Sequence, residues 1–329
     1  MRNAVLSLFE EKEYVKVCAP MVRYSKFEFR NLARKYGCDL CFSPMIVANS
    51  FVRSEKARSI EFPPYTVQFA SDNVKEFVDA AEIVAPRCDG VDLNCGCPQK
   101  WAMKNGFGAG LMLNHPEVIH DCVRQLRNRL PQDKTVSVKI RLYDDVRESV
   151  KMCKNLEAAG VSLLTVHART PSQRCEPINI DALTAIRQSL SIPVIANGIM
   201  AARGILHNPG LFVGHKITQL CVVQDWLSMK HANFFVFHHH LVYMLDRLFT
   251  RADRRVFNYL RNADDVVDFI KKKFDIAPVH PNFYVSLTKP GCDFDGGAYF
   301  SEKVKEAESD YESIKNSDEY LNGIDCLYS

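Results

Sequence analysis

The run Val91-Asp92-Leu93-Asn94-Cys95-Gly96-Cys97-Pro98 ends a short apolar stretch in a turn that presents a thiol. Asn94 closes the strand, and Gly96 and Pro98 make the chain turn tightly with Cys97 at its mouth. A thiol on a rigid strand exit is well placed to react; a buried structural cysteine is the bland reading of the same residues. Its companions in chemistry are Pro20 and Met21, Gln68, Asn94, Lys139 with Arg141, His167 with Arg169, and Asn197 with Gly198, each at the end of an apolar run. Singly, Gln68 reads as a satisfied core amide, His167 as a core imidazole and Lys139 as a rim cation. Together they line a mouth with donors, a cation, an imidazole and a thiol, and coincidence at every run is a poor account of that.

The elements that must position these residues alternate. Strands are predicted over 15–19, 40–43, 65–69, 90–93, 135–140, 162–166 and 193–196, and helices over 26–36, 72–85, 116–130, 148–159 and 180–190, with Asp72 as an N-cap and Gly160 as a stop. Strands alternating with helices imply a parallel sheet. So many repeats suit a TIM-type (β/α)8 barrel, whose chemistry gathers at the C-terminal ends of its strands. No Gly-x-Gly-x-x-Gly follows the first strand, which weighs against a dinucleotide-binding open sheet.

The chain of 329 residues is 47% hydrophobic and 10% aromatic, enough for a barrel and a smaller helical unit. No apolar run is long enough to cross a bilayer and none resembles a secretory leader, so no membrane partner is expected and the cytoplasm, with the nucleus as the other choice, is the expected compartment. The 12 cysteines are then expected to be reduced. Cys38 and Cys41 have Cys-x-x-Cys spacing without a second pair, and consecutive His238, His239 and His240 cannot all face one ion on a helix, so no metal is expected. Net charge is +3, yet residues 301–329 carry eight acidic side chains against three lysines, leaving about +8 on the rest. A basic body permits a polyanionic partner.

Residues 219–274 show helical periodicity and become basic late, through Arg247, Arg251, Arg254, Arg255, Arg261 and Lys271 to Lys273, with Phe257 and Tyr259 interleaved. A solvated charged face and a phosphate-contacting surface are both consistent with that pattern. From Ile276 the sequence lapses into Pro, Gly and acidic residues and predicts a disordered acidic tail over 276–329.

Several segments, taken in order, are specific as a set: Cys18 to Tyr24 (CAPMVRY), Glu28 to Gly37 (EFRNLARKYG), Val67 to Ala70 (VQFA), Asp92 to Gln99 (DLNCGCPQ), Val138 to Arg141 (VKIR) and Thr165 to Arg169 (TVHAR). This set resembles the tRNA-dihydrouridine synthase family over about residues 16–275, and Ser43 to Val47 with Trp101-Ala102-Met103 looks most like its eukaryotic type 4 branch. The resemblance implies an FMN-binding barrel over 1–212 and a helical tRNA-binding domain over 213–275, acting as a monomer. It implies that Pro20, Met21 and Val22 lie along the flavin, that Gln68 bonds its ring edge, and that Lys139 sits by the edge that becomes negative on reduction. It further implies contacts to flavin or uracil from His167, phosphate contacts from Asn197, Gly198, Ala202 and Arg203, and substrate contacts from Asn94, Arg141, Arg169, Arg254 and Arg255. The implied reaction reduces a D-loop uridine of tRNA to 5,6-dihydrouridine: NADPH reduces FMN, hydride passes to uracil C6, and Cys97 as general acid protonates C5.

The chain departs from that family at one place. Where the family has a helix and a further strand after Asn-Gly, Asn197-Gly198 runs almost at once into Met200-Ala201-Ala202-Arg203-Gly204. A crossover with its helix needs about ten to twelve residues. The barrel is therefore expected to lack its seventh helix and most of its eighth strand, and to retain FMN weakly unless Met200-Ala201 enters the eighth position. Two rival readings follow: a catalytically silent RNA-binding relative without FMN, and a flavin barrel that reduces a free pyrimidine. The basic helical region weighs against the second.

Overall fold

A computed structural model describes residues 3–54, 58, 66–196, 199–231 and 233–279. Five of the strands follow from apolar runs bounded by glycine, proline or turn residues: β4 (Thr66–Ala70), β5 (Gly90–Cys95), β6 (Thr135–Arg141), β7 (Leu163–His167) and β8 (Val194–Ala196). They pair in parallel and in sequence order, with Gln68 beside Asp92, Asp92 beside Ser137, Asn94 beside Lys139, and Lys139 beside Thr165. A second group joins β2 (Leu40–Cys41), β1 (Val17–Cys18) and β9 (Met200–Ala201), also in parallel.

One stave differs from the expected 40–43 strand. It stops at Cys41, bridges Thr66 through Phe42, and resumes after Pro44 as β3 (Ile46–Val47), which pairs with β4. Pro44 has no N–H to give the ladder, so the stave is interrupted there. The eighth position is filled: Met200 lies beside Val17 and Ala201 beside Cys18, and the Ala19 amide donates to Ala201 O at 3.0 Å. Three residues separate β8 from β9, so no helix connects them, and no ladder joins the two strands among the described residues. The fold is a TIM-type barrel missing one crossover.

Side-chain alternation sorts the strands into two faces. Val91, Leu93 and Cys95 point outward with Val136, Val138 and Ile140, against α4 (Val74–Val84), α7 (Pro116–Arg129) and α8 (Val146–Ala159). Here α1 is Ala4–Glu11, α2 Phe27–Lys35, α3 Ala48–Arg53, α5 Lys100–Lys104, α6 Ala109–Asn114 and α9 Ile180–Ser189. Phe77, Ile119, Leu126 and Leu156 are essentially buried in that layer, each contributing about 1.5–3 kcal/mol. The expected cap of α4 moves by one residue: Asn73, whose side chain accepts from the Glu76 amide, takes the place given to Asp72. The Gly160 stop is a left-handed C-cap with φ of 104°.

The inward face is layered. Val17, Leu40, Phe42, Leu163 and Ile195 form an apolar floor, closed from below by Val5 of α1. Sequence periodicity does not reveal α1, a short helix whose N-cap Asn3 accepts from the Val5 and Leu6 amides. Above the floor lie the buried polar side chains Thr66, Gln68, Asp92, Ser137 and Thr165, then buried Asn94 with half-buried Lys139 and His167.

A second core covers the outside of β1, β2 and β9. It combines Phe29 and Leu32 of α2 and Ile205 of α10 (Arg203–His207) with α11 (Leu220–Leu227), α12 (Phe234–Leu245), α13 (Arg251–Phe257) and α14 (Ala263–Phe274). Asn233, Thr250 and Asn262 cap α12, α13 and α14 with their side chains, and α14 carries acids in its first turn and lysines in its last, matching the helix dipole. The three consecutive histidines bond different atoms: His238 Nε2 bonds Phe257 O, while His239 Nδ1 and His240 Nε2 bond the hydroxyl and the carbonyl of Tyr24. Of the segment expected to be a tail, Ala277 O accepts from Gln224 and the Val279 amide donates to Ser228; residues from 280 onward lie outside the described residues.

Candidate active site

Cys97 is half-buried at the C-terminal end of β5, and its loop is held from three sides. From below, Asn94 Oδ1 accepts the Gly96 and Cys97 amides at 3.2 and 3.0 Å. From the flank, Arg141 Nε donates to Gly96 O at 3.0 Å while its NH1 donates to Thr170 O and Gln173 O, tying the cysteine loop to the loop after β7. From above, Gly108 sits at φ +60° with its ideal Cβ position only 2.5 Å from Cys97 O, and the Ala109 amide donates to that oxygen at 2.9 Å. Only glycine fits so close an approach in that conformation. Burial raises the Cys97 pKa, outweighing the opposing pull of Arg141 and Lys139, so the sulfur carries its proton at neutral pH.

Beneath the loop runs a buried polar chain. Asp92 Oδ1 accepts from Ser137 at 2.5 Å, Asp92 Oδ2 accepts from Gln68 Nε2 at 2.7 Å, and Gln68 Oε1 accepts from Asn94 Nδ2 at 2.8 Å. Asp92 was not among the predicted site residues. Its signal was present: a carboxylate between Val91 and Leu93, in a strand buried along its whole length. Burial pushes the Asp92 pKa up to about 6, against the hydrogen bonds from Ser137 and Gln68 and the charge of Lys139.

Lys139, one rung above Asp92 on the neighbouring strand, has no hydrogen-bond or ion-pair partner among the described residues. Burial first, and Arg141 second, bring its pKa down to about 8. The Thr165 hydroxyl beside it is buried and unpartnered. A half-buried ammonium beside a buried hydroxyl, neither with a partner among the described residues, suits an acceptor from outside the chain, and the electron-rich edge of a flavin has that chemistry. His167 is held neutral, its pKa lowered to about 2 by burial and by the charges of Lys139, Arg141 and Arg169. Its Nε2 lies 3.2 Å from Arg169 NH1, which leaves Nδ1 as the N–H donor.

Pro20, Met21 and Val22 follow β1, in a turn closed by the Met21 amide on Ser25 Oγ and by the Tyr24 and Ser25 amides on Met21 O. Ala202 and Arg203 follow β9, next to that turn in the barrel. Asn197 and Gly198 lie outside the described residues. Arg254 and Arg255 stand on α13, and Arg254 NH1 pairs with Asp246 at 3.1 Å. The described strand-end residues thus gather at one end of the barrel, and Arg254 and Arg255 stand on the helical region.

The family described as dihydrouridine synthase (Dus) matches residues 17–198. A mouse tRNA-dihydrouridine(20a/20b) synthase-like protein is 44% identical over 80% of this chain and 90% of its own length. The human protein of that name is 43% identical over 82% of this chain and 94% of its own. The tRNA-dihydrouridine(20a/20b) synthase of Schizosaccharomyces pombe is 36% identical over 86% of this chain and 95% of its own. With its cysteine turn and half-buried lysine set at neighbouring strand ends and this similarity running through both regions, the chain belongs to the dihydrouridine synthase family.

Proposed function

We propose that the protein reduces a uridine of tRNA to 5,6-dihydrouridine, with FMN as its flavin and NADPH as reductant. The observation that carries the reading is the pairing, on adjacent strand ends, of a protonated thiol held over the mouth with a half-buried lysine ammonium that has no partner among the described residues. The names of the relatives support the substrate. FMN, when bound, supplies the hydride that reaches uracil C6.

The chain's own residues do the rest. Lys139 and the remaining N–H of Gln68 hold the flavin ring edge, Pro20, Met21 and Val22 lie along the ring, and His167 donates from Nδ1. Ala202 and Arg203, with Asn197 and Gly198, hold the phosphate. Asn94 orients the uracil, and Cys97 gives its proton to C5 as the C5–C6 double bond takes up the hydride. Arg141 keeps the cysteine loop in place, Arg169 orients His167, and Arg254 and Arg255 meet tRNA phosphates as one chain acts on one tRNA in the cytoplasm or nucleus.

The test is the visible spectrum of the protein after incubation with FMN and desalting, with Lys139→Ala as control, followed by dihydrouridine measurement in tRNA. A flavin spectrum lost in the control, together with dihydrouridine formed by the unaltered chain, supports the reading. A second reading, a silent RNA-binding relative, is favoured by the lack of a ladder between β8 and β9 among the described residues. Protein that stays colourless yet binds tRNA with steep salt dependence would establish it instead.

A further inference from the structure

The polar chain under the cysteine loop has a direction. Ionised Asp92 only accepts, and the backbone amides of Gly96 and Cys97 only donate. Between these ends stand two amides, Gln68 and Asn94, each able in principle to face either way. With both ends fixed, a single arrangement leaves every link satisfied: Gln68 turns its NH2 to Asp92 and its oxygen to Asn94, and Asn94 turns its NH2 to Gln68 and its oxygen to the loop. Asp92 is fully buried, so water does not relieve a wrong orientation.

We propose that Asp92 is a positioning residue for proton transfer: its carboxylate fixes the orientation of Gln68 and Asn94, hence the seat of Cys97, and its charge sustains the Lys139 ammonium one rung above. The proposal rests on the reading of Cys97 as the proton donor. Asp92 faces Gln68 from β4 and Ser137 from β6. Around Lys139 the charged or titratable groups are Asp92 and Cys97 from β5, Arg141 from β6 and His167 from β7. Asp92 favours the ammonium and Arg141 opposes it, while neutral His167 and the protonated Cys97 thiol add no charge near neutral pH. Removing the Asp92 charge therefore leaves Lys139 easier to deprotonate.

Two substitutions on the same carboxylate separate positioning from packing. Asp92→Asn keeps shape and removes charge and fixed direction, whereas Ser137→Ala removes one hydrogen bond and keeps both. Two readouts need no turnover. The first is the alkylation rate of Cys97 by iodoacetamide, resolved by peptide mass spectrometry. The second is FMN affinity as a function of pH.

Asp92→Asn is expected to change Cys97 alkylation about fivefold and to move the alkaline loss of FMN affinity down by about one pH unit, with Ser137→Ala close to the unaltered protein in both. Equal effects from the two substitutions, or none from Asp92→Asn, would overturn the proposal. Gln68→Met carries the test if Asp92→Asn does not fold. It cuts the chain one link higher and is expected to change alkylation while leaving the midpoint of the pH profile in place; unchanged alkylation would overturn the positioning role. Because neither readout uses tRNA, a failure here is distinguishable from failure of the uridine-reductase reading.

Discussion

The two sides of the barrel are built differently. From β4 to β7 each strand is five to seven residues long, paired on both edges and backed by full helices. On the other side β1 and β9 are two residues each, β8 is three, and β8 and β9 share no ladder among the described residues. The first side carries Cys97, Lys139, Asp92 and His167; the second carries the segments proposed for the flavin phosphate. The lost crossover falls where recognition needs backbone and a cation, and spares the side where a proton and a ring edge must be placed to a fraction of an ångström. Weakened retention with intact proton placement is the outcome this division predicts.

The sharpest test of the intact side is Cys97→Ala. It is expected to reduce dihydrouridine formation by about 10²–10⁴ in a tRNA assay while the visible flavin spectrum stays. Loss of both together would break the division. Next come two cations compared by fluorescence titration of FMN. Lys139→Ala is expected to weaken binding about thirtyfold and Arg203→Ala about fivefold. The pH profile has a definite sign: the depressed Lys139 pKa means its charge is present below about 8 and lost above it, so affinity falls as pH rises through that value. His167, lowered to about 2, is neutral throughout and adds no step near pH 6.

Gly108→Ala forces a Cβ against Cys97 O and is expected to cost about 2 kcal/mol, read as a lower thermal midpoint, with turnover falling more than flavin affinity. The smallest effect lies in hydrogen exchange. Amides of β5 and β6 are expected to exchange about tenfold more slowly than those of β1 and β9. Equal protection would show that the short side closes as firmly as the long one.

Much of this was legible in the sequence because apolar runs bounded by Gly and Pro mark β4 to β8, and the chemistry-bearing side chains sit in the last residues of those runs or, for Cys97, just past one. Two-residue strands such as β3 and β9 carry too little pattern to be read, and only pairing with β4 and β1 defines them. The floor helix α1 is set by a tertiary contact of Val5 with Leu163 and Ile195. Asp92 escaped because an acid inside a strand motif reads as part of the motif; its work depends on Gln68 and Ser137, which lie 24 and 45 residues away. Arg141 was read as a substrate contact, and the structure adds that its Nε and NH1 serve backbone carbonyls of two loops.

The seating of Met200 beside Val17 also bears on how such a barrel tolerates loss. Met200 turns to the floor with Val17 while Ala201 turns out to the helices with Cys18, the same in-and-out phase that the remaining staves keep. The three-residue connection from β8 to β9 therefore keeps parity and leaves the eighth position occupied. A cut one residue longer or shorter would have put Ala201 inside and a methionine among the helices. For a closed parallel sheet, the arithmetic that decides whether an omission is survivable is then whether the chain re-enters on an odd or an even residue, more than how many residues are gone.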